Sequence, residues 1–325
     1  MEYKFVIGCN AGLDEAAWKL LQEETVGYEL IMDCSDFTEV DIALGQPEVD
    51  AVLSASQLKW IHITSAGYTR YDTDEFRAAL RDRNVLFTNS SSVYDKPCAQ
   101  HLLAMMLADA RQLLPCHEDQ RTSHAWRTRP HRQASYLLNG QTVLFLGMGA
   151  IARTLIPMLA PYEMEIIALR KSGQPQPGVE IVAEAELEAA LARADHVVNL
   201  LPESPSTLGL VNGTRFGQMK TGARFYNIGR GKTIDQDALL EALQSGQVGA
   251  AYLDVTDPEP LPPTHLLWEA PNCYITPHSG GGHAGEYSRL VRHFIRNLRA
   301  FETDEPLNDR VWSDLPETRI NKEAG

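Results

Sequence analysis

Cysteine is scarce and scattered. Cys9, Cys34, Cys98, Cys116 and Cys273 are odd in number, and none stands in a C-x-x-C pair or at metal-ligand spacing with histidine. No disulfide framework and no metal site is therefore expected, and the pattern fits reduced thiols in a cytoplasmic protein. Positive charge is also short, with 29 Lys and Arg against 43 Asp and Glu, a net charge of −14. That argues against nucleic-acid binding, which needs clustered cations opposite phosphates. Solubility is reason enough for an acidic surface. Long hydrophobic runs are missing, so no bilayer span is expected. The start, Met1 to Gly8, goes straight into a short strand with no basic stretch before an apolar one, so no signal peptide is expected. The sequons Asn89-Ser90-Ser91 and Asn212-Gly213-Thr214 read as chance matches in such a chain. What the chain does hold is 44% hydrophobic residues over 325 positions, enough for two domains of ordinary size.

One stretch organises the rest. Val143-Leu144-Phe145-Leu146-Gly147-Met148-Gly149-Ala150-Ile151-Ala152-Arg153 reads as a buried parallel strand, a glycine turn and the first turn of a helix. Asn139-Gly140 marks its start as a turn. The pattern is G-x-G-x-x-A, a dinucleotide fingerprint with alanine third. Gly147 allows the tight bend. Gly149 lacks a Cβ, so a pyrophosphate can approach the backbone. Ala152 lets the helix lie close on the strand. The helix N-terminus then offers free N–H groups and a positive partial charge to phosphate.

Upstream, strands and helices alternate, which predicts a parallel sheet. Phe5-Val6-Ile7, Tyr28 to Met32, Leu58 to Thr64 and Val85 to Thr88 read as strands; Asp14 to Gln22 and Thr73 to Arg81 read as helices. This segment lacks a glycine fingerprint, so it is expected to be a substrate domain. Its loop Ser65-Ala66-Gly67-Tyr68 follows a strand's carboxyl end, where open parallel sheets bind ligands. Ser90 to Pro97 is polar and ends in proline, and reads as a linker. A helix from Cys98 to about Leu114 follows, its methionines core residues. Pro115 to Gln133, rich in Arg and His, reads as an exposed loop with a short helix.

Downstream of the fingerprint, Ile151 to Leu159 continues as a helix that Pro157 should kink or shorten. Met164 to Leu169 is the next strand, and it ends in Arg170-Lys171-Ser172. An NAD site usually places Asp or Glu there to hold the ribose hydroxyls. Two cations and a hydroxyl would instead pair with a 2′-phosphate, so NADP(H) is the predicted preference, with NAD(H) as the alternative. Later strands end in Leu201-Pro202, in Ile228-Gly229-Arg230-Gly231, in Leu253-Asp254 leading to Glu259, and in Thr276-Pro277-His278 before Ser279-Gly280. His196, at a strand start, reads as structural. Arg230, Asp254, Glu259 and His278 are thus carried towards one edge of one sheet, where catalytic groups of such sheets gather.

Together these motifs resemble the D-isomer-specific 2-hydroxyacid dehydrogenase family. The likeness also takes in Leu58-Lys59-Trp60-Ile61 with Ser65-Ala66-Gly67, and Glu305-Pro306-Leu307-Asn308 with Val311. The basic triplet at Arg170 resembles the NADPH-dependent glyoxylate/hydroxypyruvate reductase branch. The resemblance implies an α/β fold of two Rossmann-like, doubly wound parallel-sheet domains with a cleft between them. The dinucleotide-binding domain, 99–284, would be inserted into a discontinuous substrate domain, 1–98 with 285–325, and the helix from Glu286 to Phe301 would cross back. A homodimer is expected. The coenzyme contacts implied are Gly147, Met148, Gly149, Ala150, Ile151, the basic triplet, Leu201, Pro202, Ile228, Asp254 and Gly280.

The implied catalytic set is Arg230, Glu259 and His278. An imidazole supplies a proton near neutral pH. A carboxylate holds it oriented and favours its charged form. A guanidinium fork matches a 2-oxo acid's carboxylate and carbonyl, and N–H groups at Ala66 and Gly67 would take the carboxylate's other side. Several positions depart from the family's usual pattern: Ala150, Ala152, Tyr162-Glu163, Gln100, Tyr68-Thr69-Arg70 and Gly280-Gly281-Gly282-His283. They leave the substrate's side group open, with Tyr68, Tyr94, Trp126 and Arg132 as candidate lining. A bulkier 2-hydroxy acid, or a nucleotide-sensing regulator on the same fold, are the alternatives. Gln in place of Glu259 would mark a formate dehydrogenase, and it is absent.

Overall fold

A computed structural model describes residues 4–170 and 175–318. The chain divides into two units, residues 1–94 with 283–325, and residues 95–282. Among the described residues, no helix is long and apolar enough to cross a membrane.

In the first unit the chain runs through β1 (Val6–Cys9), α1 (Glu15–Glu24), β2 (Glu29–Ile31), β3 (Ile42–Gly45), α2 (Val49–Ser54), β4 (Trp60–Ile63), α3 (Asp74–Asp82) and β5 (Leu86–Thr88). All neighbouring strands pair in parallel, in the order β2-β1-β3-β4-β5. Asp14 caps α1 by accepting from the Ala17 N–H at 2.8 Å, and Thr73 caps α3. Side chains alternate across the sheet. Ile42, Leu44 and Trp60 pack with α1 and the later helix Glu286–Thr303, while Ala43, Ile61 and Ile63 pack with Phe76, Leu80 and Trp312. Both faces are therefore covered, as a parallel sheet requires.

Two expectations need correction here. The sequence reading left out β3, which sits in the middle of the sheet with all four residues buried. Nor is Ser90 to Pro97 a linker, because α4 (Ser91–Ala110) begins at Ser91 and holds Pro97 inside it. Proline brings no N–H to a helix, and just before it the Lys96 N–H is taken by the Asp95 carboxylate at 2.6 Å.

The second unit continues with α5 (Leu113–Arg121), α6 (Thr128–Ala134), β6 (Thr142–Leu146), α7 (Ala150–Leu159), β7 (Glu165–Leu169), β8 (Glu180–Val182), α8 (Leu187–Arg193), β9 (His196–Asn199), α9 (Gly213–Gln218), β10 (Ala223–Asn227), α10 (Gln236–Gln244), β11 (Val248–Leu253) and β12 (Cys273–Ile275). The segment after Pro115 is thus two helices, not a loop with one, although neither buries a residue. Pro157 lies in the last turn of α7, which gives way to a tight turn of 3₁₀ helix at Ala160–Tyr162.

The seven strands run in the order β12-β11-β10-β9-β6-β7-β8, all parallel. Succession reverses between β6 and β9, so the crevice at their carboxyl ends is the switch point where such sheets take ligands. One face packs Leu144, Val197, Phe225 and Leu253 against α8, α9 and α10. The other carries stacked rings, Tyr226 on Tyr252 at 5.2 Å and Tyr252 on Tyr274 at 5.0 Å. There Asp109 of α4 accepts from the Arg224 guanidinium at 2.8 Å and from the Tyr252 hydroxyl at 3.0 Å. The chain closes in the first unit with α11 (Glu286–Thr303).

His196 is fully buried beneath this tyrosine face, its ring nitrogens bonded to Gln141 Oε1 at 2.6 Å and to the Tyr226 hydroxyl at 3.1 Å. Burial pulls its pKa down to about 4. The unfolded chain binds this proton below about pH 6.5 and the folded chain does not, so stability falls as pH drops through that window. Wild type should lose about 2 kcal/mol more than His196→Gln between pH 7 and pH 5. Urea unfolding of both at the two pH values measures it, and equal losses would contradict a buried neutral imidazole.

Candidate active site

The loop after β10 is held from beneath by buried amides. Asn227 Oδ1 accepts from Asn199 Nδ2 at 3.0 Å and from the Gly229 N–H at 3.1 Å. Asn227 Nδ2 and Thr233 Oγ1 both donate to the Arg230 carbonyl, at 3.2 and 2.6 Å. Asn199 and Thr233 are fully buried and Asn227 nearly so. The backbone of Arg230 is thereby fixed, and its Nη1 donates to the Gly229 carbonyl at 2.6 Å. The next residue must be glycine, because a Cβ on Gly231 would stand 1.9 Å from the Thr256 carbonyl oxygen. The loops after β10 and β11 therefore touch at the backbone.

That contact leads directly to the carboxylate. Thr256 donates its N–H to Glu259 Oε1 at 3.0 Å, leaving Oε2 to face His278 Nδ1 at 2.8 Å. His278 is tied to the β11 loop through its own N–H, which donates to the Asp254 carbonyl at 2.9 Å. Its φ of 50° lies in the left-handed region, which costs an L-residue about 1–2 kcal/mol. Such strain persists where the surroundings dictate it, and here the two carbonyl partners of the His278 N–H, Asp254 and Thr276, do so. With Nδ1 turned to Glu259, Nε2 is the nitrogen left for a substrate. The imidazole and carboxylate side chains are 53% and 38% exposed, open to a small molecule.

Asp254 is different, only 2% exposed. It accepts from Thr276 Oγ1 at 2.6 Å, from the Ser279 N–H at 3.0 Å and from the Gly280 N–H at 3.0 and 3.1 Å. Gly280 is itself pinned, since a Cβ there would meet Ile228 Cδ1 at 2.7 Å and Asp254 Oδ2 at 2.8 Å.

At the switch point Gly147 has φ 104°, a conformation that favours glycine, and faces the Leu200 carbonyl. Leu201 donates its N–H to Asn199 Oδ1 at 3.3 Å, and Pro202 follows exposed. Gly149 caps α7 and has open space where a Cβ would stand, while Ala152 is fully buried against the sheet. Met148 is buried, and Ala150 and Ile151 form the first turn of α7. This surround fits a pyrophosphate: room above the second glycine, and N–H groups of the first turn beside it. Arg170 follows β7, its N–H on the Val182 carbonyl at 3.2 Å; Lys171 and Ser172 lie outside the described residues.

Ala66 and Gly67 belong to the first unit, in the loop after β4. Asn89 Nδ2 donates to the Ala66 carbonyl at 2.8 Å, and Ser65 Oγ to that of Gly67 at 2.6 Å. Among the described residues no acceptor takes the N–H of Ala66 or Gly67. Tyr68 lies edge-on to Trp312, and Tyr94 donates to the Thr64 carbonyl at 2.8 Å. Trp126 and Arg132 line an open cavity of about 720 Å³ in the second unit, with Arg111 and His131. None of Asn89, Asn199, Thr233, Thr276 or His101 has a site role that the sequence alone assigns. Asn and Thr beside a strand end are too common to signal anything alone.

The described geometry is that of a dinucleotide fold with a polar strand-end cluster, and the comparisons with known proteins agree. A family model for the D-isomer specific 2-hydroxyacid dehydrogenase NAD-binding domain matches residues 103–280. A glyoxylate reductase/hydroxypyruvate reductase of Mus musculus is 32% identical over 229 residues, 70% of this chain and 69% of that one. A D-isomer specific 2-hydroxyacid dehydrogenase of Xanthobacter autotrophicus Py2, solved with NADPH and MES, is 25% identical with a TM-score of 0.81, covering 95% of this chain and 98% of that one. An NADPH-dependent glyoxylate/hydroxypyruvate reductase of Sinorhizobium meliloti, solved with NADP and sulfate, is 26% identical with a TM-score of 0.80 over the same shares. This chain belongs to the D-isomer-specific 2-hydroxyacid dehydrogenase family, and is an oxidoreductase that acts on a CH–OH group with a nicotinamide coenzyme.

Proposed function

We propose that the protein reduces small 2-oxo acids, of the glyoxylate and hydroxypyruvate kind, to 2-hydroxy acids with NADPH. The 2.8 Å pairing of His278 Nδ1 with Glu259 carries the reading. A carboxylate on Nδ1 sets the imidazole's orientation and leaves Nε2–H for the substrate. Bound reduced nicotinamide supplies a hydride to the substrate's C2. Arg230 binds the carboxylate and carbonyl of the 2-oxo acid in a bidentate fork. The N–H groups of Ala66 and Gly67 hold the carboxylate's other oxygen. His278 releases its Nε2 proton to the oxygen that becomes the hydroxyl, while Glu259 stabilises the imidazolium before that transfer. Asp254, its orientation set by three donors, accepts from the nicotinamide carboxamide.

In this reading the second unit holds the dinucleotide. Gly147, Gly149 and the first turn of α7 take the pyrophosphate, with Leu201, Pro202, Ile228 and Gly280 along the rest of the coenzyme. Arg170, Lys171 and Ser172 take the 2′-phosphate, which agrees with the NADP(H) bound in the two solved relatives. We also read the protein as a cytoplasmic homodimer, on the family's habit and on five cysteines that are all free. The test is a panel of 2-oxo acids with each coenzyme. Glyoxylate or hydroxypyruvate with NADPH should give the highest kcat/KM. A maximum on a bulky, branched 2-oxo acid would overturn the substrate class, and inactivity with every pair would overturn the enzymatic reading.

A further inference from the structure

We infer that His101, on α4, is a positioning residue for the nicotinamide end of the coenzyme, acting on Asp254 through the hydroxyl of Thr276. The inference rests on the reading that Asp254 accepts from the carboxamide. His101 Nε2 lies 3.1 Å from Thr276 Oγ1, and Thr276 Oγ1 lies 2.6 Å from Asp254 Oδ1. A threonine hydroxyl has one hydrogen to give. The shorter contact, to a carboxylate, takes it, because a charged acceptor makes the stronger bond. Thr276 must then accept from His101, which fixes the Nε2–H tautomer of that ring. The direction of the chain is therefore settled: imidazole N–H to hydroxyl, hydroxyl to carboxylate.

The imidazole also fills space that sets the carboxylate. A Cβ on Gly280 would stand 3.1 Å from His101 Cδ2 and 2.8 Å from Asp254 Oδ2, so ring, glycine and carboxylate are wedged together. His101 Nε2 is 3.7 Å from Asp254 Oδ1, near enough to act on its charge directly. Oδ1 already receives Thr276, Ser279 and Gly280, whereas Oδ2 receives only the Gly280 N–H and keeps a lone pair. Removing His101 leaves the Thr276 hydroxyl free to swing from Oδ1, and the carboxylate free to turn its open lone pair away. These contacts sit at the ends of β11 and β12, three and four strands from the glycine turn after β6, so their loss should be felt at the nicotinamide alone.

Calorimetric titration separates the two halves. Each variant is titrated with NADPH and NADH, and with their nicotinamide-free fragments, 2′-phospho-ADP-ribose and ADP-ribose. His101→Leu and Thr276→Val should each weaken the preferred coenzyme about 10-fold and leave its fragment within about twofold. The double variant should be little worse than either single, because the two act in series. His101→Gln and Thr276→Ser keep the donors and should stay near wild type. Equal losses for coenzyme and fragment would make His101 a structural residue and overturn the inference. So would full coenzyme affinity in both His101→Leu and Thr276→Val while Asp254→Asn loses it. Full affinity in Asp254→Asn would instead remove the underlying reading of Asp254.

Discussion

His278→Ala should lower kcat for 2-oxo acid reduction about 10³-fold while the coenzyme Kd stays within about twofold, since a positioned proton donor contributes about 10²–10⁴. The separation of the two effects follows from the local structure. Among the described residues the imidazole hydrogen-bonds only to Glu259, at 2.8 Å, and its side chain is half exposed. Deleting it opens no cavity in the core. The His278 backbone N–H bonds, which tie the loop to Asp254 and Thr276, survive the change. What is lost is the proton for the nascent alkoxide, and with it the transition-state term alone. Alanine at a φ of 50° keeps the same strain as histidine, so the loop has no new reason to move. Stopped-flow turnover with fluorescence titration of the coenzyme measures both halves. A variant that retained a tenth of its activity would remove His278 as the proton donor.

Replacing both Arg170 and Lys171 with serine should weaken NADPH about 50-fold and NADH less than threefold. Each charge-assisted bond to a phosphate is worth about 1.5–3 kcal/mol, reduced by solvent and salt. Two such bonds still leave about 2 kcal/mol, and the ribose hydroxyls of NADH use neither. The wild-type preference should also shrink as ionic strength rises, whereas that of the variant should not. KM for both coenzymes at two salt concentrations reads this out. Parallel losses for the two coenzymes would discard the phosphate site.

The parts of this molecule that a reader of its sequence can find are those whose chemistry is local. Gly147 declares a tight turn because its φ of 104° favours glycine, and Asp14 declares a helix start because its side chain accepts from the first turn. Strands β6 and β11 are largely apolar runs of five and six residues. β3 is four residues, buried throughout and ending in glycine, so it shows neither alternation nor length. Helices α5 and α6 bury nothing and have no apolar stripe to read. Ser91 to Pro97 misleads in the other direction, since it is polar and carries a proline yet forms the first two turns of α4.

The site divides along the same line. Arg230, Glu259 and His278 stand at strand ends beside glycine and proline, which mark them. Asn199, Asn227 and Thr233, which hold the Arg230 backbone, come together only when β9 and β10 pair, and His101 reaches Thr276 from a helix some 175 positions earlier. Contacts of that kind depend on packing, and no spacing in the chain encodes them.

A crystal grown with NADPH and oxamate, an inert likeness of a 2-oxo acid, tests the central claim most directly. The carboxylate of oxamate should lie in the fork of Arg230, with its adjacent oxygen in hydrogen-bond reach of His278 Nε2. Oxamate bound beside the nicotinamide but touching neither Arg230 nor His278 would contradict it.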